Sequence, residues 1–293
     1  MVVYYIIKIF YKSEGIFIFL WNPIIVISKD RKGGNIMNST LELLNNRMSL
    51  RKYDDKPISE EDLNAIIQGA LRAPTAGNMM MYSILVIKDP KKKEILSKTC
   101  DDQPFIATAP VVLIFLADME RLYSYYNYSK VDEYCKENNM DFRKPDASSL
   151  YLATSDAIIA AQNAVIAAEA LGIGSCYIGD IIENYETHKD LLNLSPWTMP
   201  VAMLTLGYYP ENQTRRITSR FDKKYIVFDE EYKKLEDEDF VHMYKDLETL
   251  VKENNVYKAK NFGQLLYGRK MGSDFAKEME RSLNVMIDKW MNR

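Results

Sequence analysis

Histidine is scarce in this sequence, with only His188 and His242 among 293 residues. Their spacing excludes an H-E-x-x-H zinc site, and the chain also lacks a G-x-S-x-G nucleophile elbow and a Gly-x₄-Gly-Lys-Ser/Thr phosphate loop. If the protein is an enzyme, we therefore expect a bound cofactor to carry the difficult chemical step, rather than a triad of side chains.

Cysteine and net charge are also low. Cys100, Cys135 and Cys176 are odd in number and show no C-x-x-C spacing. This pattern favours free thiols in a reducing compartment, and so a cytoplasmic protein, over a disulfide framework or a zinc site. The formal net charge of −3 provides no basic field that would indicate nucleic acid as a partner.

A long hydrophobic run is missing as well. The longest one, residues 15–28, is interrupted by Asn22 and Pro23, whereas a membrane-spanning helix needs roughly 20 apolar residues. No small-residue cleavage site of a secretory signal is apparent, and no membrane association is expected.

Residues 1–36 differ from the rest of the chain because they are rich in aromatic and β-branched side chains. The residues from Arg31 to Ile36 can be encoded by a purine-rich run just upstream of the codon for Met37, as in a bacterial ribosome-binding site. We therefore expect Met37 to be the start and residues 1–36 to be a translated leader. A peripheral membrane or structural extension is the alternative.

From residue 37 the sequence predicts one α/β or α+β domain, residues 37–228, followed by a charged helical extension, residues 229–293, that packs on the core or on a neighbouring chain. Ser59 and the three acidic residues after it predict a helix N-terminus. A long alanine-rich helix is predicted over 154–172, apolar on nearly all sides and therefore central. Buried strands are predicted at 83–88, 110–116, 175–178 and 201–206.

Arg47, Ser49 and Arg51 alternate along the chain and are called here the arginine comb. On an extended segment their side chains leave the same face. Two guanidinium groups and a hydroxyl form a receptor suited to a phosphate. The alternative is a strand edge whose cations are simply solvated.

Three other short stretches are candidates for a ligand site. The turn APTAGN (73–78) offers small residues and the amide of Asn78, although alone it is simply a loop. LGIGSCYIGD (171–180) offers exposed backbone N–H groups, but it lacks the length and the strand-before-helix order of a Rossmann fingerprint. TRRITSRFDKK (214–224) is a second basic cluster.

Together and in this order, these pieces resemble the FMN-dependent nitroreductase family. The matching motifs are R-x-S-x-R-x-Y, A-P-T-A-G-N, D-A-x-x-A-A-Q-N with A-L-G-I-G-S-C-Y-I-G after it, and L-T-L-G-Y-Y-P before an arginine. The resemblance runs from about Asn38 to Phe228, and the tail NFGQLLYGRKMGSDFAKEMERS is similar to the C-terminal extension of one branch of the family. The resemblance implies an α+β, three-layer fold with a central mixed sheet flanked by helices.

The resemblance also implies a homodimer with two FMN sites at the subunit interface. The arginine comb would hold the phosphate and the ribityl or pyrimidine side, Ile178 and Gly179 would present backbone N–H groups near flavin N5, and Gln103 is a weaker candidate for the pyrimidine edge. The phosphate would also meet Arg220, with Arg216 as the alternative. The partner subunit would contribute Pro74, Thr75, Ala76 and Asn78.

By the same resemblance, FMN would take a hydride from NADH or NADPH at N5 and pass it to a nitroaromatic or a quinone by a ping-pong mechanism, with no side chain acting as an essential proton donor. Reductive dehalogenation, flavin fragmentation and non-catalytic FMN storage or sensing are alternatives. The tyrosine-rich segment 123–135 would be either a substrate lid or a helix packed on the core. Cys176, beside the proposed flavin strand, is expected to be a buried inert thiol.

Overall fold

The computed structural model describes residues 9–12, 15–18 and 38–292. The first two ranges are strands β1 (Ile9–Lys12) and β2 (Gly15–Ile18), which pair antiparallel. Most of residues 1–36 lie outside the described residues, and the prediction that they form a leader lies there with them. The chain divides into two compact units, Met1–Glu42 and Leu43–Arg293, and the second unit contains every candidate site residue.

A four-stranded sheet in the order β3-β4-β6-β5 forms the centre of the second unit, and all three of its strand pairings are antiparallel. Among the described residues, the one parallel pairing is the bridge between Ser49 and Ser175. The sheet is mixed, as predicted, only if this bridge is counted as part of it. All four predicted strands are present, with ends shifted by up to three residues. They are β3 (Tyr82–Ile87), β4 (Val111–Asp118), β5 (Ile173–Ile178) and β6 (Thr198–Tyr208).

Helices cover both faces of this sheet, which explains why all eight residues of β4 are buried. Alternate residues of β4 face opposite layers. Leu113 and Phe115 belong to the cluster with the alanines of the long helix, whereas Val112 and Ile114 belong to the cluster on the other face. The helices before the tail are α1 (Ser39–Asn46), α2 (Glu60–Leu71), α3 (Pro90–Thr99), α4 (Pro104–Thr108), α5 (Glu120–Tyr128), α6 (Val131–Glu137), α7 (Ala147–Ala170) and α8 (Tyr185–Leu192).

The central helix α7 begins seven residues earlier than predicted because Asp146 caps it. The Asp146 carboxylate accepts from the backbone N–H of Ser149 at 3.0 Å, and the Ser149 hydroxyl closes a capping box. Small side chains let α7 lie close to α2, where a Cβ on Gly69 would come 2.7 Å from that of Ala167. By length and composition α7 could cross a membrane, but many of its alanines are buried against the sheet.

The tail after residue 228 contains three helices, α9 (Asp237–Glu248), α10 (Phe262–Arg269) and α11 (Asp274–Met291). The last helix packs on the core of its own chain. Trp290 is 1% exposed, its indole N–H donates to the carbonyl of Asp146 at 3.2 Å, and its own carbonyl accepts from the indole of Trp197 at 3.2 Å. The C-terminal helix is therefore part of the folded domain.

Candidate functional site

The arginine comb lies along the outer edge of β5. Ser49 pairs in parallel with Ser175, and the backbone N–H of Leu50 donates to the Ser175 carbonyl at 2.9 Å. Leu50 is 2% exposed and points into the core. Because side chains alternate on an extended segment, Arg47, Ser49 and Arg51 leave the opposite face together.

Two glycines allow the chain to run this close to the sheet. A Cβ on Gly174 would lie 2.6 Å from Cδ2 and 2.9 Å from Cβ of Leu50, and a Cβ on Gly207 would lie 2.5 Å from Cδ1 of Tyr53. The Tyr53 hydroxyl lies 2.7 Å from Oγ1 of Thr205, which fixes the segment over β6. Burial raises the pKa of Tyr53, so this hydroxyl stays neutral.

The face of the arginine comb is cationic and incompletely satisfied. Nε of Arg47 is buried, and it meets no hydrogen-bond acceptor within the part of the chain that is described. Burial raises the pKa of the Cys176 thiol, and the charges of Arg51 and Arg47 together with a hydrogen bond from Ser49 oppose that rise without cancelling it. The neutral thiol supplies no counter-charge. This recess therefore suits an anionic group with several acceptor oxygens, such as a phosphate.

The arginine comb and Gln103 converge on the end of β5. The guanidinium of Arg51 lies 5.9 Å from the ring centroid of Phe105, two residues after Gln103. The Gln103 amide donates to Oδ2 of Asp180 at 2.9 Å and to the carbonyl of Cys100 at 2.9 Å. Both amide hydrogens are thus engaged, and Oε1 is the atom of Gln103 that a ligand can use.

Ile178 is the last residue of β5 and Gly179 follows it, and the two differ in how closely they are packed. Ile178 is 2% exposed, whereas a Cβ on Gly179 would meet nothing within 4 Å. Gly179 has an ordinary φ of −77°, so neither backbone conformation nor packing within the described chain demands a glycine there. The structure leaves open space beside the backbone at the point where the sequence predicts a flat ligand.

The turn 73–78 is held by a buried carboxylate that the site prediction missed. Asp156 of α7 is 2% exposed, and it accepts from the backbone N–H of Ala76 at 2.9 Å and of Met81 at 3.2 Å. An aspartate within an otherwise apolar helix is the signal that could have found it, because a buried charge needs partners. By holding these two backbone N–H groups, Asp156 fixes the shape of the turn.

Within this turn, the candidate side chains differ in what they do. The Thr75 hydroxyl accepts from the backbone N–H of Met80 at 3.3 Å, which closes the loop. Pro74 and Asn78 are exposed. Gly77 and Asn78 have φ of +55° and +56°, a left-handed conformation that glycine and asparagine tolerate best.

The structure does not bring the turn and the arginine comb together within one chain. The turn leads into β3 at one edge of the sheet, and the comb lies beyond β5 at the other edge. Four strand spacings separate them, which is about 19 Å. One chain therefore presents two separate half-sites.

The two candidate arginines of the second basic cluster, Arg220 and Arg216, differ in what they contact. Arg220 is exposed, and its guanidinium donates to the carbonyls of Thr218 at 3.1 Å and Ser219 at 3.4 Å within its own loop. The backbone N–H of Arg216 lies 3.3 Å from Sδ of Met48. The alternative candidate, Arg216, thus lies next to the arginine comb. The hydrogen bonds of Arg220 within the described residues stay in its own loop.

Arg215 lies in the second basic cluster, but the sequence analysis gave it no role of its own. Its guanidinium pairs with the buried carboxylate of Glu169 at 2.5 Å, donates to the carbonyl of Asn46 at 3.1 Å, and lies 4.4 Å from the ring centroid of Tyr209. It joins the loop after β6 to the residue that precedes the arginine comb. Arg215 therefore orders the surroundings of this cationic recess.

The tyrosine-rich segment forms α5 and α6, and its rings fall into two groups. Tyr123 packs on Trp197, with ring centroids 4.5 Å apart, and stacks on Phe142 at 5.7 Å. This ring fits the interpretation of a helix packed on the core. The rings left on the surface are those of Tyr125, Tyr128 and Tyr134.

A metal centre finds no support: no group of three or more His, Cys, Asp or Glu side chains in the described part of the chain could hold an ion. The three cysteines are free thiols, as their number and spacing predicted, and all three are buried.

Comparison with known proteins gives concordant results. The model of the Nitroreductase family matches residues 44–208, more than half of the chain. The protein named FMN reductase (NADPH) of Bacillus subtilis is 28% identical over 206 residues, which cover 70% of this chain and 79% of the relative. A second Bacillus subtilis protein, named FMN reductase [NAD(P)H], is 30% identical over 183 residues, covering 61% of this chain and 70% of the relative.

Among solved structures, nitroreductase A from Vibrio parahaemolyticus superimposes with a TM-score of 0.71 at 23% identity. The match covers 88% of this chain and 99% of that one. At this identity the likeness concerns the fold, and it confirms the predicted α+β architecture with a sheet flanked by helices.

Proposed function

The chain belongs to the Nitroreductase family, and on that premise we propose that the two half-sites described above hold FMN in an NAD(P)H-dependent flavin oxidoreductase. FMN and a nicotinamide donor agree with the names of its Bacillus subtilis relatives. The observation that carries the assignment to this site is the buried and unpartnered Nε of Arg47 in a cationic recess. A phosphate is the part of FMN that such a donor recognises.

The residues of this chain then have distinct tasks. Arg47, Ser49 and Arg51 bind the phosphate and the neighbouring polar oxygens of the cofactor. Ile178 and Gly179 present backbone N–H groups beside the open space at the end of β5, where a flat ring can approach the chain. Bound FMN would supply the redox chemistry, a hydride transfer at N5 from NADH or NADPH to a second substrate in a ping-pong cycle.

The active form is a homodimer in which each site draws on both chains. The distance between the turn and the arginine comb supports this, because the two lie at opposite edges of one sheet. An exposed apolar stripe on α7 supports it too, since Tyr151, Leu152, Ile158 and Ile159 lie at helical spacing on the outside of that helix. Pro74, Thr75, Ala76 and Asn78 then serve the cofactor bound by the partner's comb.

The acceptor is a flat aromatic compound, a nitroaromatic or a quinone. Tyr125 and Tyr128 expose their rings on α5. This helix follows the end of β4 at which Asp118 donates its backbone N–H to the carbonyl of Met81, next to the turn. Exposed aromatic rings beside the half-site can stack on such a substrate. We place the protein in the cytoplasm, since its buried thiols are free.

An absorbance spectrum of the protein loaded with FMN tests this proposal. We expect a flavin band that anaerobic NADH or NADPH bleaches within seconds, and that returns when a nitroaromatic or a quinone is added. A band that stays oxidised with both nicotinamides would indicate storage or sensing of FMN, and would contradict the proposed reaction. Failure to take up FMN from excess would contradict the site itself.

A further inference from the structure

A buried carboxyl group lies just beyond the end of β5. Glu183 is 5% exposed, and its Oε1 meets no hydrogen-bond partner in the described part of the chain. The Asp180 carboxyl group is close enough to raise the pKa of Glu183, and the Glu183 backbone N–H donates to the Asp180 carbonyl at 3.0 Å. Two neighbouring carboxylates repel each other, and a proton on Glu183 removes that repulsion.

Three acidic side chains act on Glu183 in the described part of the chain. Asp180 belongs to its own segment, Asp101 follows α3, and Glu278 belongs to α11. The nearby cation is Arg281, which Glu278 and Glu186 already bind. Burial, followed by Asp180 and Asp101, raises the pKa of Glu183 to about 8.

Two buried titratable groups near Glu183, Cys100 and His188, are neutral. Burial raises the pKa of the Cys100 thiol, and burial lowers the pKa of the His188 imidazole. His188 is fully buried, with Nδ1 at 2.9 Å from the carbonyl of Ile181 and Nε2 at 2.7 Å from Oγ1 of Thr99. Neither group offers Glu183 a positive charge, so its proton is what stabilises the pair with Asp180.

This carboxyl pair is connected to the candidate site. Oδ2 of Asp180 accepts the amide of Gln103 at 2.9 Å, and Asp180 directly follows Gly179 in the chain. A continuous path therefore runs from Glu183 through Asp180 to Gln103 and to the end of β5. Anything that moves the Asp180 carboxylate removes one of the two hydrogen bonds that hold the Gln103 amide.

We propose that Glu183 is a positioning residue for the cofactor: its protonated carboxyl group holds Asp180 and through it Gln103 in place, so that flavin affinity falls when Glu183 loses its proton. This inference rests on the proposed function, since it assigns a regulatory role at the same FMN site. Loss of the proton places two negative charges side by side, and the carboxylates separate. It also adds a negative charge near a site that binds an anion.

The test compares FMN dissociation constants at pH 7 and pH 9, measured by quenching of flavin fluorescence, for the wild type, Glu183→Gln and Glu280→Gln. We expect the wild type to bind FMN about tenfold more weakly at pH 9, at the lower end of coupling between linked sites. Glu183→Gln keeps a donor toward Asp180 without a titratable proton, so its affinity should change much less. Glu280→Gln, at an exposed position of α11, should follow the wild type.

A second variant guards against a folding defect in Glu183→Gln. In Asp180→Asn the amide oxygen can still accept from Gln103, and the amide N–H can donate to an ionised Glu183, so the pH dependence should again be reduced. Parallel pH profiles in the wild type and in both variants would overturn the inference alone. No FMN binding by the wild type at pH 7 would overturn the proposed function, and the inference with it.

A flavin-free measurement checks the titration itself. The pKa of Glu183 is raised on folding, so its contribution to stability is fully present below pH 4.5, its unfolded value, and is lost as the pH rises toward 8. The melting temperature of the apoprotein should therefore fall between pH 5 and pH 9 more steeply in the wild type than in Glu183→Gln. Equal slopes would show that Glu183 does not hold this proton, and would refute the proposal.

Discussion

Replacing Gly174 by alanine places a methyl group in the contact between β5 and the arginine comb. The new Cβ would lie 2.6 Å from Cδ2 and 2.9 Å from Cβ of Leu50, and 2.9 Å from Cζ of Tyr209. A rotamer change can move Cδ2, but the Leu50 Cβ moves only with the backbone. The comb segment must therefore shift away from the sheet.

The magnitude follows from the cost of overpacking, about 1–3 kcal/mol for a well-packed position. For a unit of this size, a loss of about 2 kcal/mol lowers the melting temperature by about 4–8 °C. FMN affinity should fall at least about tenfold, or about 1.4 kcal/mol, because Ser49 and Arg51 flank the residue that is displaced.

Gly179→Ala is the matched control for stability alone, since Gly179 directly follows the same strand but belongs to the proposed FMN site. A Cβ there meets nothing within 4 Å, and φ is −77°, so the apoprotein should be as stable as the wild type or more stable by about 0.4–1 kcal/mol. Thermal unfolding followed by circular dichroism measures this, and quenching of flavin fluorescence measures affinity. If Gly174→Ala melts and binds FMN like the wild type, the close approach of Leu50 does not position the arginine comb.

Three further predictions concern other parts of the molecule. Asp156→Asn leaves one of the two backbone N–H groups facing an amide N–H, so the free energy of unfolding in urea should fall by about 2–4 kcal/mol. The exposed control Asp141→Asn should lose less than about 0.5 kcal/mol, and equal losses would refute the role of Asp156 in holding the turn. Arg47→Gln should weaken binding of FMN about tenfold but leave riboflavin binding unchanged, and an equal loss for both ligands would exclude a phosphate contact. Trp290→Ala should lower the free energy of unfolding by about 3–5 kcal/mol in the same assay, whereas Met291→Ala, at a residue 44% exposed, should lower it little. A small loss for Trp290→Ala would show that α11 does not stabilise the core.

The sheet could be predicted from the sequence because its strands are short apolar runs covered on both faces. Such runs are marked by composition alone, as the fully buried β4 shows. The ends of the elements depend on tertiary contacts. The start of α7 was missed because its first turn is set by the cap at Asp146 and by the indole of Trp290, a residue 144 positions away.

The arginine comb could be predicted because alternation is a local property. Asp156 and Arg215 could not be predicted in the same way, since each acts on a segment far away in the chain. Asp156 holds a turn 80 residues earlier, and Arg215 pairs with Glu169 of α7. The buried carboxyl group of Glu183 was missed for a related reason: two acids three residues apart look solvated in a sequence, and only the structure shows that Glu183 is buried.

The separation of the turn and the arginine comb across the sheet has a consequence for measured affinity. If each FMN needs one half-site from each of two chains, as proposed, a dissociated protomer offers only part of the contacts. Flavin binding and subunit association are then thermodynamically linked, so that the dissociation constant for FMN rises on dilution of the protein, and added FMN stabilises the dimer. Affinities determined at nanomolar and at micromolar protein concentrations will therefore differ.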